Sequence, residues 1–427
     1  MKKWLTVLAG TACVLVAAAA LVAWLNLRDE VDADAPVAAL AASDSLLARG
    51  AYLARAGNCA GCHTARGGAA YAGGRGLDTP FGAVFSSNLT PDEKTGIGSW
   101  TSAHFWRAMH NGRSKNGRLL YPAFPYPNYT QVTREDSDAL FAYLQSLPAV
   151  EQAATPHALR FPYDSQAALA VWRALYFKPG VYVANEQRSA EWNRGAYLVR
   201  GLGHCAACHT ARNALGASND ALDLAGGLIP MQNWYAPSLS SPQEAGVGDW
   251  DRQHIVALLK TGVSPRASAS GPMAEVVLRS TQYLSDADLG AMAQFLKELA
   301  PPARVAPTAA PAAPAAVLSQ GAKLYEQHCA QCHGEQGRGV PKAYPALAGN
   351  RAVTMPQTAN LVQIVLNGGY APATAGNPRP FGMPPFVLEL GDSDIAAVLT
   401  HIRQSWGNQA GVVTPLEVNR MRASGTR

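Results

Sequence analysis

Cysteine and histidine recur in this sequence as three copies of the pattern Cys-x-x-Cys-His. The pattern is typical of sites where a c-type haem is attached covalently. The two thiols form thioethers with one porphyrin, and the adjacent imidazole becomes an axial ligand of the iron. We therefore predict three covalently bound haem c groups. The attachment residues are Cys59, Cys62, Cys205, Cys208, Cys329 and Cys332, and the proximal iron ligands are His63, His209 and His333.

A zinc site is the main alternative for a Cys-x-x-Cys pair. Structural zinc takes four nitrogen or sulfur ligands, so it needs a second ligand pair close by. Successive pairs are far apart in this chain, and the seventh cysteine, Cys13, stands alone in an apolar stretch. The spacing therefore favours haem over zinc.

The N-terminus carries a long uncharged stretch, Trp4 to Leu25, after Lys2 and Lys3. At about 1.5 Å per residue, this stretch is long enough to cross a hydrocarbon core of about 30 Å. We interpret residues 1–28 as a membrane anchor, with a cleaved signal sequence as the alternative. Acidic residues follow the stretch, so the positive-inside rule predicts a location at the inner (cytoplasmic) membrane with the chain on the periplasmic side.

Similar segments flank each Cys-x-x-Cys-His copy. The segments before it begin at Arg49, Arg194 and Gly321, and their apolar residues recur at helical spacing. The segments that close each unit combine a polar cap with acidic residues and an apolar helical face, and they begin at Thr133, Ser285 and Asp392. We therefore predict one opening and one closing helix in each of three units.

Several phrases between the motifs carry a family resemblance. They are Phe85-Ser-Ser-Asn-Leu-Thr-Pro-Asp, Gly96-Ile-Gly-Ser-Trp, Leu120-Tyr-Pro-Ala-Phe-Pro-Tyr, Gly271-Pro-Met-Ala-Glu-Val-Val and Phe381-Gly-Met-Pro-Pro-Phe. With these, roughly residues 45 to 405 resemble the three-haem cytochrome c subunits of bacterial membrane-bound dehydrogenases. The resemblance implies a catalytic partner subunit that is a quinoprotein, a flavoprotein or a molybdenum enzyme. It also implies ubiquinone or a terminal oxidase as electron acceptor, with a small third subunit as a further candidate partner.

We predict an all-α fold with three class I cytochrome c domains in tandem behind an N-terminal transmembrane helix. The predicted boundaries are residues 40–150, 185–300 and 318–405 for the domains and 301–317 for a Pro/Ala-rich linker. The three units agree with the domain count expected from the chain length.

A class I cytochrome c takes its sixth iron ligand from the loop before the closing helix, commonly a methionine. Met273, in Gly-Pro-Met, and Met383, in Gly-Met-Pro-Pro, lie in that loop of the second and third units. We predict that both are distal iron ligands.

The first unit departs from this pattern. Phe124 lies in the equivalent loop, and phenylalanine cannot bind iron. Met109, His110 and His104 are the remaining candidates, and the sequence does not choose among them. An open coordination position at this haem would allow ligand or substrate binding there.

Composition excludes several other functions. The net charge of +5 comes without a basic run, which gives no support for nucleic-acid binding. The sequence also has no dinucleotide fingerprint, phosphate loop or nucleophile elbow. We predict a non-catalytic electron-transfer subunit of an oxidoreductase complex. The alternatives are a self-sufficient haem peroxidase or reductase that uses the first haem, and a cytochrome subunit of a terminal oxidase.

Overall fold

The computed structural model describes residues 2–30, 32, 43–301 and 310–424. Residues 302–309 of the predicted linker and residues 40–42 of the predicted first domain lie outside these ranges. The described chain is rich in helices, but it also contains short antiparallel strands in three small sheets. The prediction of an all-α fold is therefore only partly right, because segments between the helices pair as short strands.

The first Cys-x-x-Cys-His copy lies within the N-terminal part of the fold. Its helices are α1 (Lys2–Leu27), α2 (Asp44–Ala56), α3 (Cys59–Cys62), α4 (Ser102–Asn111), α5 (Tyr126–Tyr129), α6 (Arg134–Gln145) and α7 (Gln166–Tyr176). Its strands are β1 (Gly76–Thr79), β2 (Gly82–Phe85) and β3 (Ala158–Leu159). The strand order is β1-β2-β3, and Leu77 pairs with Val84.

The unit around the second copy has a similar arrangement of helices but fewer strands. Its helices are α8 (Ala190–Ala196), a π-helical continuation (Tyr197–Leu202), α9 (Ala206–His209), α10 (Arg252–Thr261), α11 (Gly271–Arg279) and α12 (Asp286–Lys297). Its strands are β4 (Gly227–Ile229) and β5 (Trp234–Ala236), which form an antiparallel pair.

The third copy begins where the Pro/Ala-rich segment ends. Its helices are α13 (Ala315–His328), α14 (Ala330–His333), α15 (Arg351–Thr354), α16 (Ala359–Asn367), α17 (Asp392–Gln404) and α18 (Pro415–Ser424). Its strands are β6 (Gly369–Tyr370) and β7 (Gly382–Met383).

Each opening helix crosses its closing helix at a glycine. A Cβ atom added at this glycine would collide with a backbone carbonyl of the closing helix, so the side chain must be absent for the two helices to approach. The three crossings are Gly50 with Ala139, Gly195 with Ala291, and Gly321 with Ala397. The predicted opening and closing helices are thus confirmed in all three units as packed pairs.

Two large clusters of buried apolar residues lie in the described part of the chain. One cluster contains Leu53 and Leu140 from the first unit together with Leu198 and Phe295 from the second. The other is confined to the third unit and its C-terminal helix. The first two units therefore share one hydrophobic core, while the third unit has its own.

Among the described residues, Lys3–Leu27 is the one helical stretch long and apolar enough to cross a membrane, and none of it is buried. Its C-terminal end is nevertheless tied to the folded body. Asn26 donates from Nδ2 to the carbonyl oxygen of Ala170 at 2.9 Å and accepts at Oδ1 from Nε of Arg173 at 2.9 Å. Glu30 lies 2.9 Å from Nε of Arg113. These contacts fix the place where α1 meets the rest of the protein.

Candidate haem-binding sites

Each predicted proximal histidine is oriented by a hydrogen bond from Nδ1 to a backbone carbonyl. The pairs are His63 with Ser87 at 2.7 Å, His209 with Pro237 at 2.7 Å, and His333 with Pro345 at 3.0 Å. A carbonyl oxygen can only accept, so the proton lies on Nδ1 and the lone pair lies on Nε2. Metal-ligating histidines are held in this way, with the other ring nitrogen bonded to an oxygen acceptor.

A second backbone contact also recurs at all three histidines. The carbonyl oxygen of each histidine accepts a 2.8 Å hydrogen bond from the amide of a glycine with positive φ. The three glycines are Gly73, Gly226 and Gly339. Glycine adopts this conformation without the steric cost that a Cβ atom would impose. The returning loop therefore reaches the attachment helix in the same way in each unit.

Burial favours the protonated form of the first thiol in each attachment pair. It raises the pKa of the first thiol of each pair, to about 12 at Cys59, about 12 at Cys205 and about 11 at Cys329. All six attachment cysteines are free thiols in the structure. They are therefore available for thioether formation.

Two arginines that sequence reasoning missed hold the attachment helices. The guanidinium of Arg212 donates to the carbonyl oxygen of Ala207 at 2.7 Å, and Arg75 donates to the equivalent carbonyl oxygen of Gly61. Arg75 also pairs with Glu275 of α11 at 2.9 Å. The two arginines follow their motifs at different distances in the sequence, so no repeated spacing could have revealed them.

Comparison with known proteins agrees with the assignment of these sites to haem c. Residues 47–148 and 318–406 match the sequence model of the cytochrome c family. The alcohol dehydrogenase (quinone) cytochrome c subunit of Gluconacetobacter polyoxogenes is 38% identical over 401 residues, which cover 90% of this chain and 86% of the relative. The gluconate 2-dehydrogenase cytochrome c subunit of Pantoea cypripedii is 38% identical over 412 residues, which cover 90% of this chain and 91% of the relative.

These full-length similarities decide the family. The chain belongs to the dehydrogenase cytochrome c subunits. This cytochrome c subunit also resembles a nicotinate dehydrogenase subunit of Pseudomonas putida, at 42% identity over 369 residues. That match covers 84% of the cytochrome but 30% of the relative, which is a much longer polypeptide.

Membership of the cytochrome c family means covalently bound haem c. The residues present in this cytochrome c subunit fit that group, because each site combines two free thiols with an imidazole whose Nε2 carries the lone pair. Burial also lowers the pKa of His63, His209 and His333, which favours the neutral imidazole that iron binds.

The two methionines predicted as distal ligands lie in short regular elements, a helix and a strand, and not in irregular loops. Met273 is in the first turn of α11 and packs against the same apolar cluster as Cys205. Met383 ends β7 and packs against the same cluster as Cys329. Their ligation of iron stays a prediction.

Phe124 occupies the corresponding loop of the cytochrome's first unit. Its ring packs on Tyr129, with ring centres 5.3 Å apart. The hydroxyl of Tyr129 donates to the carbonyl oxygen of Gly57 at 3.0 Å, just before the first attachment helix. The aromatic pair therefore lies beside the first site, as the loop position predicts. Met109, a candidate ligand, is 5% exposed within the shared core.

His104 and His110, the two candidate histidines, differ in which ring nitrogen carries the proton. Nδ1 of His104 accepts from the amide of Thr101 at 3.1 Å, which places the proton on Nε2 and leaves no lone pair there for iron. Nδ1 of His110 instead donates to the carbonyl oxygen of Thr130 at 2.9 Å, so its Nε2 keeps the lone pair. Of these two histidines, His110 has the tautomer that a metal ligand needs.

The first two attachment segments of the cytochrome touch each other. His204, which precedes Cys205, contacts the carbonyl oxygen of Gly57 through Nε2 at 3.3 Å. The same ring packs edge-on against Tyr129, with centres 5.5 Å apart. Gly57 lies two residues before Cys59, so a single imidazole joins the two haem-motif segments. Because this contact joins distant parts of the chain, no local pattern predicted it.

Proposed function

We propose that this chain is the electron-transfer subunit of a periplasmic dehydrogenase and passes electrons through three haem c groups to ubiquinone or a terminal oxidase. One observation supports the number of haems. Each Cys-x-x-Cys pair is followed by a histidine whose Nδ1 is hydrogen-bonded to a backbone carbonyl oxygen. The printed names of its relatives, as cytochrome c subunits of alcohol and gluconate dehydrogenases, support a catalytic partner subunit.

The residues of the chain have defined roles in this proposal. Bound haem supplies reversible one-electron chemistry at iron. The cysteine pairs would attach each porphyrin, and the carbonyl-bonded histidines would offer Nε2 to the iron. Met273 and Met383 would be further iron ligands in the second and third units. The protein thereby sets the ligands and the polarity around each iron, which are the features that tune a haem potential.

The proposed domain order along the chain is supported by the contacts between units. The first two units share a core, and the third docks on the second through paired hydrogen bonds. The amide of Tyr235 donates to Oδ1 of Asn360 at 2.8 Å, and Nδ2 of Asn360 donates back to the carbonyl oxygen of Tyr235 at 2.8 Å. Arg351 adds an ion pair with Asp249 at 2.7 Å. This arrangement, in which each unit contacts the next, is suited to passing electrons from unit to unit.

The proposed membrane anchor is supported by the contacts at the end of α1. A signal sequence that is removed has no need of a specific partner in the mature protein. Asn26 instead makes hydrogen bonds with Ala170 and Arg173, and Asp29 accepts from Asn111 at 3.1 Å through its carbonyl oxygen. We therefore favour retention of residues 1–28, with the body of the chain on the periplasmic side.

A cavity beside this junction suits an acceptor drawn from the membrane. It has a volume of about 550 Å³ and is lined by Arg28, Tyr176, Lys178, Arg200 and Ala206, among others. Ala206 belongs to the second haem motif, and Arg28 directly follows α1. We propose this cavity as the place where ubiquinone approaches the second site.

Co-purification from native membranes tests the function directly. We expect a large dehydrogenase subunit to accompany the chain, and we expect its substrate to reduce the haems only in the complex. Subsequent reoxidation by a ubiquinone analogue would support the proposed direction of flow. Reduction of the isolated chain by the substrate would contradict the electron-transfer role. A copper-haem oxidase as the partner would instead identify a terminal-oxidase subunit.

The position of Phe124 favours one rival function, a peroxidase or reductase that reacts at an open first haem. This rival predicts rapid binding of cyanide or peroxide by the isolated chain and peroxidase turnover. Six-coordinate spectra at all three haems, with no turnover, would exclude it.

A further inference from the structure

Helix α7 exposes apolar side chains on the face that points away from the protein. Its inner face is buried, with Leu169 at 5% and Arg173 at 4% exposure. On the outer face, Val171 is 48% exposed and Leu175 is 63% exposed. Residues four apart lie above one another on a helix, so these two side chains form a stripe that begins at the exposed Ala167. In a water-soluble helix this face would be polar.

The stripe lies next to the end of the proposed membrane span. The carbonyl oxygen of Ala170, which directly precedes Val171, accepts the hydrogen bond from Asn26 near the end of α1. Trp24 and Leu27 on α1 are 60% and 59% exposed. The end of α1 that carries these exposed apolar residues is therefore bonded to α7 at Ala170, the residue before Val171.

Aromatic and basic residues surround this junction. Phe161 and Tyr163, in the loop before α7, are 84% and 38% exposed. The guanidinium of Arg28 lies 5.7 Å from the ring centre of Trp24, and the exposed Lys178 follows α7. Aromatic rings together with lysine and arginine are typical of the boundary between lipid and water.

We propose that α7 and the loop before it lie in the lipid headgroup region and form a second contact with the membrane. Helices with one apolar face bind in this way, with that face at the boundary between headgroups and acyl chains. The occupant of the stripe is thus the bilayer into which α1 inserts. The inference rests on the proposed function in one respect, which is that α1 is retained and crosses that bilayer.

Lipid photolabelling of the full chain tests the proposal. The holoprotein would be placed in nanodiscs of phosphatidylcholine and phosphatidylglycerol that contain a phospholipid with a diazirine on its acyl chain. After irradiation, mass spectrometry would locate the labelled peptides. We expect labels in α1 and also in residues 161–178. Leu388 is the matched control, because it is 95% exposed but lies in the third unit, which has its own hydrophobic core.

A double variant sharpens the test. Val171→Gln with Leu175→Gln should lower labelling of residues 161–178 to the level found at Leu388, while labelling of α1 stays unchanged. Leu388→Gln should change neither. An unaltered haem count and absorption spectrum would show that the double variant is folded.

The outcomes separate this inference from the anchor on which it rests. Labels in α1 without labels in residues 161–178 of the wild-type protein would overturn the second membrane contact alone. Absence of labels from both would overturn the membrane span as well. Labelling of residues 161–178 no stronger than that of Leu388 would also contradict the proposal, since exposure by itself would then explain it.

Discussion

The hydroxyl of Tyr52 donates a 2.6 Å hydrogen bond to the carboxylate of Asp288. Tyr52 lies in the opening helix of the first unit, and Asp288 lies in the closing helix of the second. The reverse contact also exists, because Tyr197 of the second unit donates to Asp136 of the first at 2.6 Å. The two units thus exchange equivalent tyrosines across their shared core. This reciprocity shows that they pack as a pair related by approximate two-fold symmetry.

The pairing at Asp288 should make stability depend on pH. Burial by itself would raise the pKa of this carboxyl, but hydrogen bonds from Arg194 and Tyr52 outweigh it and lower the pKa. The stabilisation is therefore complete above the unfolded-state pKa of about 3.9 and is lost as the pH falls through the lower folded-state value. We expect Asp288→Asn to lower the melting temperature at pH 6 and to flatten its fall below about pH 4.

Asp286→Asn is the control for this experiment, because Asp286 lies in the same helix but its side chain is 85% exposed. Thermal unfolding of the three proteins between acid and neutral pH provides the measurement. Equal acid sensitivity of Asp288→Asn and the wild-type protein would show that the interface carboxyl does not contribute.

The three attachment motifs should give three covalent haems per chain. Replacing Cys59 and Cys62 together by serine should leave two haems in the pyridine haemochrome assay, because a hydroxyl does not form the thioether. Cys13→Ser should leave three, since Cys13 lies in α1. A wild-type stoichiometry of two or fewer would contradict the assignment.

Met273 and Met383 should each control the spin state of one haem. Met383→Ala is expected to convert one haem to a high-spin form that binds added cyanide and to lower one reduction potential, since a methionine ligand raises it. Met273→Ala should act in the same way on another haem. Absorption spectra with redox titration would measure both effects.

Met109→Ala serves as the comparison for the ligand variants. Met109 is buried in the core, so we expect its truncation to cost about 2–5 kcal/mol of stability and to change the spin state less than either of these variants does. Unchanged spectra in both Met273→Ala and Met383→Ala would refute the distal-ligand assignment.

The glycine at each helix crossing should not tolerate a side chain. In Gly195→Ala the new Cβ would collide with the carbonyl oxygen of Ala291, so α8 and α12 must move apart. We expect a loss of about 1–3 kcal/mol in the free energy of unfolding, as for other overpacked cores. Gly180→Ala is the control because a Cβ there meets no atom within 4 Å. Similar denaturation midpoints for the two variants would argue against a tight crossing.

The mature protein should retain residues 1–28. Its intact mass, after allowance for the haems, would then include the N-terminal segment, and the protein would need detergent for extraction. A mass that begins after this segment would show that it is a cleaved signal. The contacts of Asn26 with Ala170 and Arg173 would in that case have no place in the mature protein.

Local patterns were enough to predict the opening and closing helices and the attachment sites proposed for haem. Cys-x-x-Cys-His is a continuous motif, so the chemistry of Cys329, Cys332 and His333 is visible without a fold. The opening and closing helices are likewise encoded by periodic apolar residues and polar caps, and the structure confirms them. The short hairpins were missed because their strands, such as Gly369–Tyr370, are too brief to show an alternating pattern.

Other features became visible only in the folded chain, because folding brings together residues that are distant in the sequence. The contact between His204 and Gly57 and the arginines that hold the attachment helices all depend on loops folding back. The tautomers of His104 and His110 depend on which backbone atoms surround each ring. The Cys-x-x-Cys-His motif, and with it the proposed attachment of haem, can be read from the residues of each unit alone. How the units meet depends on packing, since the shared core and the exchanged tyrosines arise from surfaces that no single segment contains.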